Sequence, residues 1–407
     1  MYNYRRIFTV GAKVMLLRAT IWLLLAIIFA SCSKNNGAIT PTQSTGDTTN
    51  KTFYTWDKFA MGADLSYVNE VQDFGGTYKD SGTVQDPYLI FKKYGCNTVR
   101  VRLWYDPEWL KPLTGGKMYS GLADAEKTIQ RAKAHGMAVN LDIHYSDTWA
   151  DAGDQNTPAA WADLNLSELT DSVYQYTLRV LNELKSKNLT PEMVQIGNET
   201  NEGMLYPQGQ VVNNNWVPFG QLLNSGIKAV RDFSTTSTIK PLIILHVAKL
   251  EDADWWINNI INNAQVTDFD VLGVSEYYFW STVSSMAQVS SLISSLKTNY
   301  KKAVMIVETA CPWTNQNADS YANQVDGNTP FTGYTISQAQ QLQYMKDFTQ
   351  AVISGGGAGV MYWEPAWITS SLKDKWGTGS SWDNCTLFDF AGNTLPAMGY
   401  MGYKYQF

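Results

Sequence analysis

The chain has 407 residues, of which 44% are hydrophobic and 17% are charged, a globular composition with enough apolar material for one or two domains. Its formal net charge of -6 argues against nucleic acid or an anionic membrane as the main partner. Aromatic residues make up 13% of the chain and include 15 tryptophans, more than a core needs. Such rings often stack on flat apolar faces, including those of sugars, and a tryptophan-rich core is the alternative.

Residues 1–32 have the pattern of an export signal. Basic residues between positions 5 and 18 precede the apolar run "ATIWLLLAIIFA", which is too short to span a bilayer comfortably but suits a signal-peptide core. The run leads into "FASC", and small residues before Cys32 resemble a bacterial lipobox. We therefore predict that Cys32 becomes the lipidated first residue of the mature protein. Cleavage by ordinary signal peptidase, or an uncleaved anchor, is the alternative.

Residues 33–52 are polar, rich in Ser, Thr, Asn and Gly, and have no hydrophobic period, which predicts a flexible tether. The folded part then spans residues 53–407 as a single catalytic domain. We expect an exported protein that is lipid-anchored in the bacterial cell envelope and monomeric, although the sequence determines neither the membrane face nor the oligomeric state.

Eight short runs rich in Val and Ile recur after residue 59, separated by stretches with helical spacing. The runs cover residues 59–67, 97–104, 137–145, 193–199, 242–247, 270–277, 303–310 and 359–365. Helix candidates between them include "ADAEKTIQRAKAHG", which ends at Gly136, and "LSELTDSVYQYTLRVLNELKSKN", which has an apolar stripe. Eight strand–helix repeats predict an α/β fold of the (β/α)8 TIM barrel type. The doubly wound open sheet is the alternative, weakened because no GxGxxG or Walker loop follows any run.

Functional groups of such barrels lie at the carboxyl ends of the strands. Two acids stand out there, Glu199 after the fourth run and Glu308 after the seventh. Strands that face each other across a barrel place such acids on opposite sides of the cavity, and two carboxylates that flank a glycosidic bond suffice to hydrolyse it. Asn198 stands beside the first acid, where an amide can hydrogen-bond the sugar 2-hydroxyl. The pair predicts a retaining glycoside hydrolase if the carboxyl groups lie roughly 5 Å apart.

Seven segments together resemble the endo-β-1,4-galactanases of glycoside hydrolase family 53, a family of retaining (β/α)8 hydrolases. They are "GADLSYVNEVQDFGGTY", "TVRVRLWYDP", "LDIHYSDTWADAGDQ", "IGNETNEGMLYP", "VLGVSEYYFW", "IVETA" and "LFDFAGNTLPAM". The resemblance implies that Glu199 is the acid/base and Glu308 the nucleophile, with Arg102 beside Glu308 to hold it ionised. It implies galactan, the β-1,4-linked side chain of pectin, as the substrate.

The predicted substrate-binding residues lie at or just beyond strand ends and are two acids, an arginine, a histidine, an asparagine and aromatic residues. They are Asp64, Arg102, Trp104, His144, Asp147, Trp149, Asn198, Tyr277, Trp280, Trp313 and Trp363. Where the family usually has Tyr-Tyr-Pro-Phe-Trp-His, this chain reads "EYYFWS", with Glu276, Tyr278 and Ser281 as the changed positions. We therefore expect the catalytic pair to be unaffected but the sugar subsites to differ.

A polar loop after the seventh run predicts a structural calcium ion. Asn317, Asp319, Tyr321 and Asn323 fall at alternate positions, a spacing that lets a loop direct several oxygens at one ion. The family resemblance adds Ser381 and Asp383 from "SWDN". Hydrolysis by two carboxylates needs no metal, so calcium would only hold the loops beside the cleft. A polar loop with chance spacing is the alternative.

Two other readings of function stay open. One is a hydrolase of the same clan that acts on mannan, xylan or glucan, and the other is a non-catalytic protein that binds glycans at the cell surface. Beyond Cys32, the chain has Cys96, Cys311 and Cys385, an odd number that leaves at least one thiol unpaired.

Overall fold

The computed structural model describes residues 51–325 and 333–407. Residues 47–407 form one compact unit, which contains every strand and helix of the barrel and its core. The predicted signal peptide, the lipidation site at Cys32 and nearly all of the predicted tether lie outside the described residues. No described helix is both long enough and apolar enough to cross a bilayer.

Eight parallel strands close into a barrel in which each strand pairs with its neighbours in the chain and the last pairs with the first. They are β1 (Ala60–Asp64), β2 (Thr98–Leu103), β3 (Ala138–Ile143), β4 (Met193–Ile196), β5 (Leu242–Ala248), β6 (Val271–Ser275), β7 (Ala303–Glu308) and β8 (Gly359–Tyr362). Seven of the eight predicted runs contain a strand, and the fifth covers all of β5 but its last residue, so the prediction of a (β/α)8 barrel is confirmed.

Helices lie between the strands. They are α1 (Val68–Asp73), α2 (Pro87–Tyr94), α3 (Lys111–Thr114), α4 (Leu122–Ala134), α5 (Leu166–Ser186), α6 (Val217–Ser234), α7 (Ala253–Asn262), α8 (Met286–Tyr300) and α9 (Gln338–Ser354). A short antiparallel hairpin of Lys79–Asp80 and Thr83–Val84 follows α1.

Local sequence signals account for the ends of α4 and α5, the two helices that the sequence predicts. Helix α4 ends beside Gly136, whose φ of 66° is a left-handed conformation that glycine adopts without strain. Helix α5 begins with a capping box, in which the Asn165 side chain accepts from the backbone amides of Ser167 and Glu168, and the Glu168 carboxylate accepts from the Asn165 amide.

Alternate residues of each strand point into the barrel, and their character changes along its axis. Ala60, Ala138 and Met193 begin strands and pack in an apolar cluster with Tyr54 from the preceding segment. Polar residues occupy later positions on the same side of the strands, including Asp64 and Asp142. The barrel is therefore apolar at the amino ends of its strands and charged at their carboxyl ends.

Candidate active site

An open cleft of about 630 Å³ lies at the carboxyl ends of the strands. Most of the predicted site residues line it: Asp64, Arg102, His144, Trp149, Asn198, Glu199, Tyr277, Trp280, Glu308 and Trp363. The structure thus brings together, in one depression, side chains that the sequence spreads over about 300 positions.

Glu199 and Glu308 face each other in this cleft. One carboxylate oxygen of each lies within 4.8 Å of the other, and a ring nitrogen of His246 lies within the same distance of both. Carboxyl groups about 5 Å apart leave room for direct attack by one of them on a sugar carbon, whereas a separation of roughly 6.5–9.5 Å leaves room for an intervening water. The separation is that of a nucleophile and an acid/base rather than of a water-activating pair.

The turn after β4 directs Glu199 into the cleft. Gly197 has a φ of 79°, and Glu199 itself has a φ of 45°, a strained value for a residue with a side chain. The amide of Glu199 donates to Nδ1 of His246 at 3.2 Å, so His246 carries its proton on Nε2 and donates to the Ser275 hydroxyl at 2.8 Å. Burial raises the pKa of Glu199 above its ordinary value, and a hydrogen bond from Ser275 opposes that rise.

Arg100 sits at the centre of the charged layer. Its guanidinium donates to Asp64 at 2.9 Å, Asp142 at 2.8 Å and the side-chain oxygen of Asn198 at 2.7 Å, and it lies 2.8 Å from Oε1 of Glu308. Burial opposes its charge, but the carboxylates around it hold the pKa of Arg100 above its ordinary value. A permanent cation therefore lies beside Glu308.

Glu308 has a second partner, the Tyr277 hydroxyl, which donates to Oε2 at 2.9 Å. Burial raises the pKa of Glu308 to about 8, Arg100 opposes the rise and the charge of Glu199 adds to it. The two carboxylates are close enough for their titrations to be coupled. The ion pair with Arg100 and the hydrogen bond from Tyr277 favour the ionised form of Glu308, so this geometry favours Glu199 as the carboxyl that keeps its proton.

The prediction that Arg102 holds Glu308 ionised is wrong, because Arg102 pairs with Glu364 at 3.0 Å instead. Its guanidinium also lies 4.1 Å from the ring centre of Trp149 and 4.8 Å from that of Trp104. The two arginines are two residues apart on β2, so both point inward. Arg100 aligns with Asp64 in the strand register, whereas Arg102 lies one step further out.

Three residues that were predicted to bind substrate lie outside the cleft lining. Trp104 is only 2% exposed and packs on Trp109 and Trp149, so its face is not available to a sugar. Asp147 accepts from the amides of Asp106 and Ala159 and thereby fixes a loop.

Trp313 is the third, and it packs against Phe390 with its indole nitrogen donating to the carbonyl of Asp383. All three residues were predicted from their position just beyond a strand end, and that position does not determine the direction of a side chain.

The changed positions near β6 also lie outside the lining. Glu276 is buried, accepts from the amide of Leu250 at 3.0 Å, and has a pKa that burial raises to about 7. Ser281 donates to Glu251 at 2.7 Å. Tyr277 and Trp280, between them, do line the cleft. The residues at these changed positions therefore contact neighbouring loops and do not line the cleft.

Several lining residues were not anticipated from the sequence. They are Arg100, Ala150, Asp151, Ala152, Asp154, Ala322, Gln324, Trp367, Asp374 and Trp376, and Tyr321 and Ser381, which were predicted only as calcium ligands, also line the cleft. For Arg100 the alternation of β2 indicates an inward side chain but does not distinguish it from Arg102. For Trp367, Asp374 and Trp376, which lie on the long segment after β8, no local pattern in the sequence distinguishes them from other loop residues.

The structure brings the predicted calcium residues together. Asp319 accepts from the amides of Tyr321 and Ser380, each at 2.8 Å, and Asp383 accepts from Asn323 at 2.9 Å. Asn317 donates to the Tyr321 carbonyl, and Gln324 donates to the Ser381 hydroxyl.

Two observations show that this set fits a hard cation. Oδ1 of Asn323 is buried without a hydrogen-bond partner among the described residues. Burial and the charge of Asp319 raise the pKa of Asp383 to about 6.

A parallel eight-stranded barrel with two acids facing each other across an aromatic-lined cleft defines a glycoside hydrolase. Sequence comparison agrees, since the profile of glycosyl hydrolase family 53 matches residues 60–401. The chain belongs to this family.

Its relatives support that membership. An arabinogalactan endo-beta-1,4-galactanase of Cellvibrio japonicus is 43% identical over 354 residues, which is 86% of this chain and 92% of the relative. An endo-beta-1,4-galactanase of Bacillus subtilis is 33% identical and covers 84% of each chain.

Among solved structures, the family 53 catalytic domain of Ignisphaera aggregans superposes with a TM-score of 0.78 at 34% identity, covering 87% of this chain and 98% of that one.

Proposed function

We propose that the chain is an endo-acting β-1,4-galactanase that works with retention of configuration. The observation that carries the proposal is the pair of facing carboxylates, Glu199 and Glu308, with oxygens within 4.8 Å of each other in an open cleft. The relatives' printed names supply the substrate, β-1,4-linked galactan. An open cleft suits attack within a chain rather than at its end.

The two acids would act in turn. Glu308 attacks the anomeric carbon as Glu199 gives its proton to the leaving oxygen, which forms a galactosyl ester on Glu308 and releases the first product. Glu199, now ionised, takes a proton from water, and that water displaces the ester with a second inversion. The assigned proton positions, on Glu199 and off Glu308, are those that the first step needs.

The groups around the acids would hold the sugar. The Asn198 amide donates one hydrogen to the Ala150 carbonyl at 2.8 Å, which leaves its second hydrogen for the sugar 2-hydroxyl. Trp149, Trp280 and Trp363 line the cleft and present rings on which galactose can stack. His144 donates from Nε2 to Asp142 and accepts on Nδ1 from the Ala150 amide, and burial lowers its pKa, so it is neutral and positions this loop.

The substrate is tested by incubating residues 47–407 with β-1,4-galactan, mannan, xylan and carboxymethylcellulose, and by following reducing ends and product size. We expect cleavage of galactan alone, with oligomers of intermediate size appearing early. Cleavage of another polymer instead would overturn the substrate assignment, and no cleavage of any would favour a glycan-binding protein.

The roles of the acids are tested with Glu199→Gln and Glu308→Gln. Each should lower kcat on galactan by at least about 1000-fold, because each removes a group that takes part in bond breaking. Glu202→Gln, on the same loop but outside the cleft lining, is the matched control. Full activity in either catalytic variant would contradict the assignment.

We also propose a structural calcium ion held by Asp319, Asp383, Asn323 and Ser381, with the Tyr321 carbonyl. The support is the Oδ1 atom of Asn323, which is buried and has no hydrogen-bond partner among the described residues, together with Asp383, whose pKa is raised by burial and by the charge of Asp319. When bound, the cation would neutralise these charges and fix the two loops to each other. Tyr321 and Ser381 line the cleft, so the site would stabilise one of its walls.

Export, lipidation at Cys32 and a monomeric state complete the proposal. Export and lipidation are supported by the signal-like composition of residues 1–32 and the polar residues that follow, and the monomeric state stays a prediction. Mass spectrometry of the mature amino terminus would test the lipid, and sedimentation analysis would test the monomer.

A further inference from the structure

A second depression lies at the opposite end of the barrel from the cleft. It has a volume of about 640 Å³ and is bounded by Phe59 before β1, Ala303 at the start of β7 and Ala358 before β8, so it sits at the amino ends of the strands. We call it the basal surface and define it by Trp56, Lys58, Lys297, Lys301, Lys302 and Phe407.

The basal surface combines positive charge with exposed aromatic rings. Trp56 is 54% exposed and Phe407 is 87% exposed. Lys58, Lys297 and Lys301 are exposed. Asp57 is the one acid among the residues that line the depression. The chain as a whole is negative, so this positive charge is a local feature of the basal surface. Because salt screens charges that lie more than about 10 Å apart, acids elsewhere on the surface do not cancel it.

Backbone carbonyls, rather than carboxylates, accept the hydrogen bonds of three of these lysines among the described residues. Lys58 donates to the Phe53 carbonyl at 3.3 Å, and Lys297 donates to the Gly356 carbonyl at 3.2 Å. Lys302 is half-buried and donates to the carbonyls of Thr267 and Phe269. Backbone carbonyls fix the ammonium groups in place but leave their net charge available to an anionic partner.

The amino-terminal segment is fixed at this same end. Tyr54 packs in the apolar cluster at the amino ends of the strands, and the amide of Phe53 donates to Glu192 at 3.2 Å. The described chain therefore begins at the amino ends of the strands, which is the end of the barrel where the basal surface lies. A polar chain with the length of residues 33–52 spans about 25 Å.

We infer that the basal surface contacts an anionic lipid bilayer, with lysines over the headgroups and the rings of Trp56 and Phe407 at the interface. Aromatic and basic side chains together are the composition of membrane-interface contacts. A basic surface is a common additional contribution to the membrane binding of anchored proteins. The orientation also points the cleft away from the bilayer, toward polymer in the surroundings.

The test uses residues 47–407, the compact unit without the proposed anchor, so that its result is independent of lipidation. Binding is measured by sedimentation with vesicles of phosphatidylcholine alone and of phosphatidylcholine with phosphatidylglycerol, at low and high salt. We expect binding to the anionic vesicles only, and loss of binding at high salt.

The deciding variant combines Lys58→Glu, Lys297→Glu and Lys301→Glu. Its partition onto anionic vesicles should fall by about 100-fold, about fivefold for each lysine removed from the surface. The matched control, Lys127→Glu with Lys228→Glu and Lys373→Glu, carries the same change of charge elsewhere and should lose less than about threefold. Both variants should cut galactan at the rate of the parent, which shows that they fold.

Failure of the parent to bind anionic vesicles would overturn the inference, as would equal losses in the two variants. The inference would also be overturned if the triple variant of the basal surface lost retention on insoluble galactan but bound vesicles like the parent. The surface would then be a glycan-binding site. Because the galactan assay is separate, a failure of the proposed activity is distinguishable from a failure here.

Discussion

Arg100 and Arg102 lie on the same strand, β2, but have different partners, because Arg102 lies nearer the carboxyl end of the strand. Arg100 contacts Asp64, Asp142 and Glu308, whereas Arg102 contacts Glu364. A buried guanidinium with three carboxylates close by is stable only because they compensate its charge. From the sequence, the acids at the ends of β4 and β7 could be identified, since each stands alone at a strand end. The arginine could not, because two inward positions of β2 carry the same residue type.

We predict that Arg100→Lys lowers kcat on galactan by about 100-fold and changes KM less than threefold. A lysine is a compact charge that cannot reproduce the fork that joins four partners, so Glu308 loses orientation more than the substrate loses contacts. Arg102→Lys is the matched control and should cost about tenfold or less. Steady-state kinetics measure both, and a larger loss in Arg102→Lys would contradict the assignment of Arg100 as the partner of Glu308.

A second prediction concerns the pH profile. The Tyr277 hydroxyl donates to Glu308 and stabilises its ionised form, so Tyr277→Phe should raise the pKa of that carboxyl. The acid limb of kcat/KM should therefore move to higher pH, and the rate at the optimum should fall about tenfold. Tyr278→Phe changes the neighbouring residue outside the cleft lining and should leave the acid limb in place. An unchanged acid limb in Tyr277→Phe would show that its hydroxyl does not act on Glu308.

At the scale of elements, the strands and helices that the sequence predicts are those with a clear local hydrophobic pattern. The strands are short Val- and Ile-rich runs, and α5 begins at a capping box that is legible in its sequence. Side-chain direction beyond strand ends was not predictable. Trp104 and Trp313 lie outside the cleft lining, whereas Trp367 and Trp376 are part of it, because the tertiary packing of long loops determines where each ring lies.

The capping box gives a stability prediction. Asn165→Ala removes acceptors for the first amides of α5 and should lower the free energy of unfolding by about 1 kcal/mol. Asn182→Ala, at an exposed position inside the same helix, should be neutral or slightly stabilising because alanine is the better helix former. Denaturant midpoints of residues 47–407 measure the difference. Equal effects of the two changes would contradict the role of the cap.

The loops beside the cleft give a prediction about metal removal. Chelation of calcium should lower Tm by about 3–5 °C, because a ligand that binds only the folded state stabilises it. Asp319→Ala should unfold at a lower temperature than the parent and should no longer respond to chelator or to added calcium. A parent protein that is indifferent to both would rule out the proposed ion.

At the scale of the whole molecule, the barrel separates two surfaces by function. Apolar residues fill the amino ends of the strands, where Tyr54 and the entering chain pack, and charged residues fill the carboxyl ends, where the cleft opens. The sequence predicted the barrel and the order of its parts. It did not predict the basal surface, because Trp56, Lys297 and Phe407 are far apart in the chain and meet only after the barrel closes.

The most direct measurement of the central claim follows the first anomer that the protein releases from β-1,4-galactan. Proton NMR during the first minutes, at high concentration of residues 47–407, distinguishes the anomeric protons before mutarotation mixes them. Carboxylates within 4.8 Å of each other predict that the β-anomer accumulates first and that the α-anomer appears only as the sugar mutarotates. Initial accumulation of the α-anomer would contradict direct attack by Glu308, and with it the account of the site.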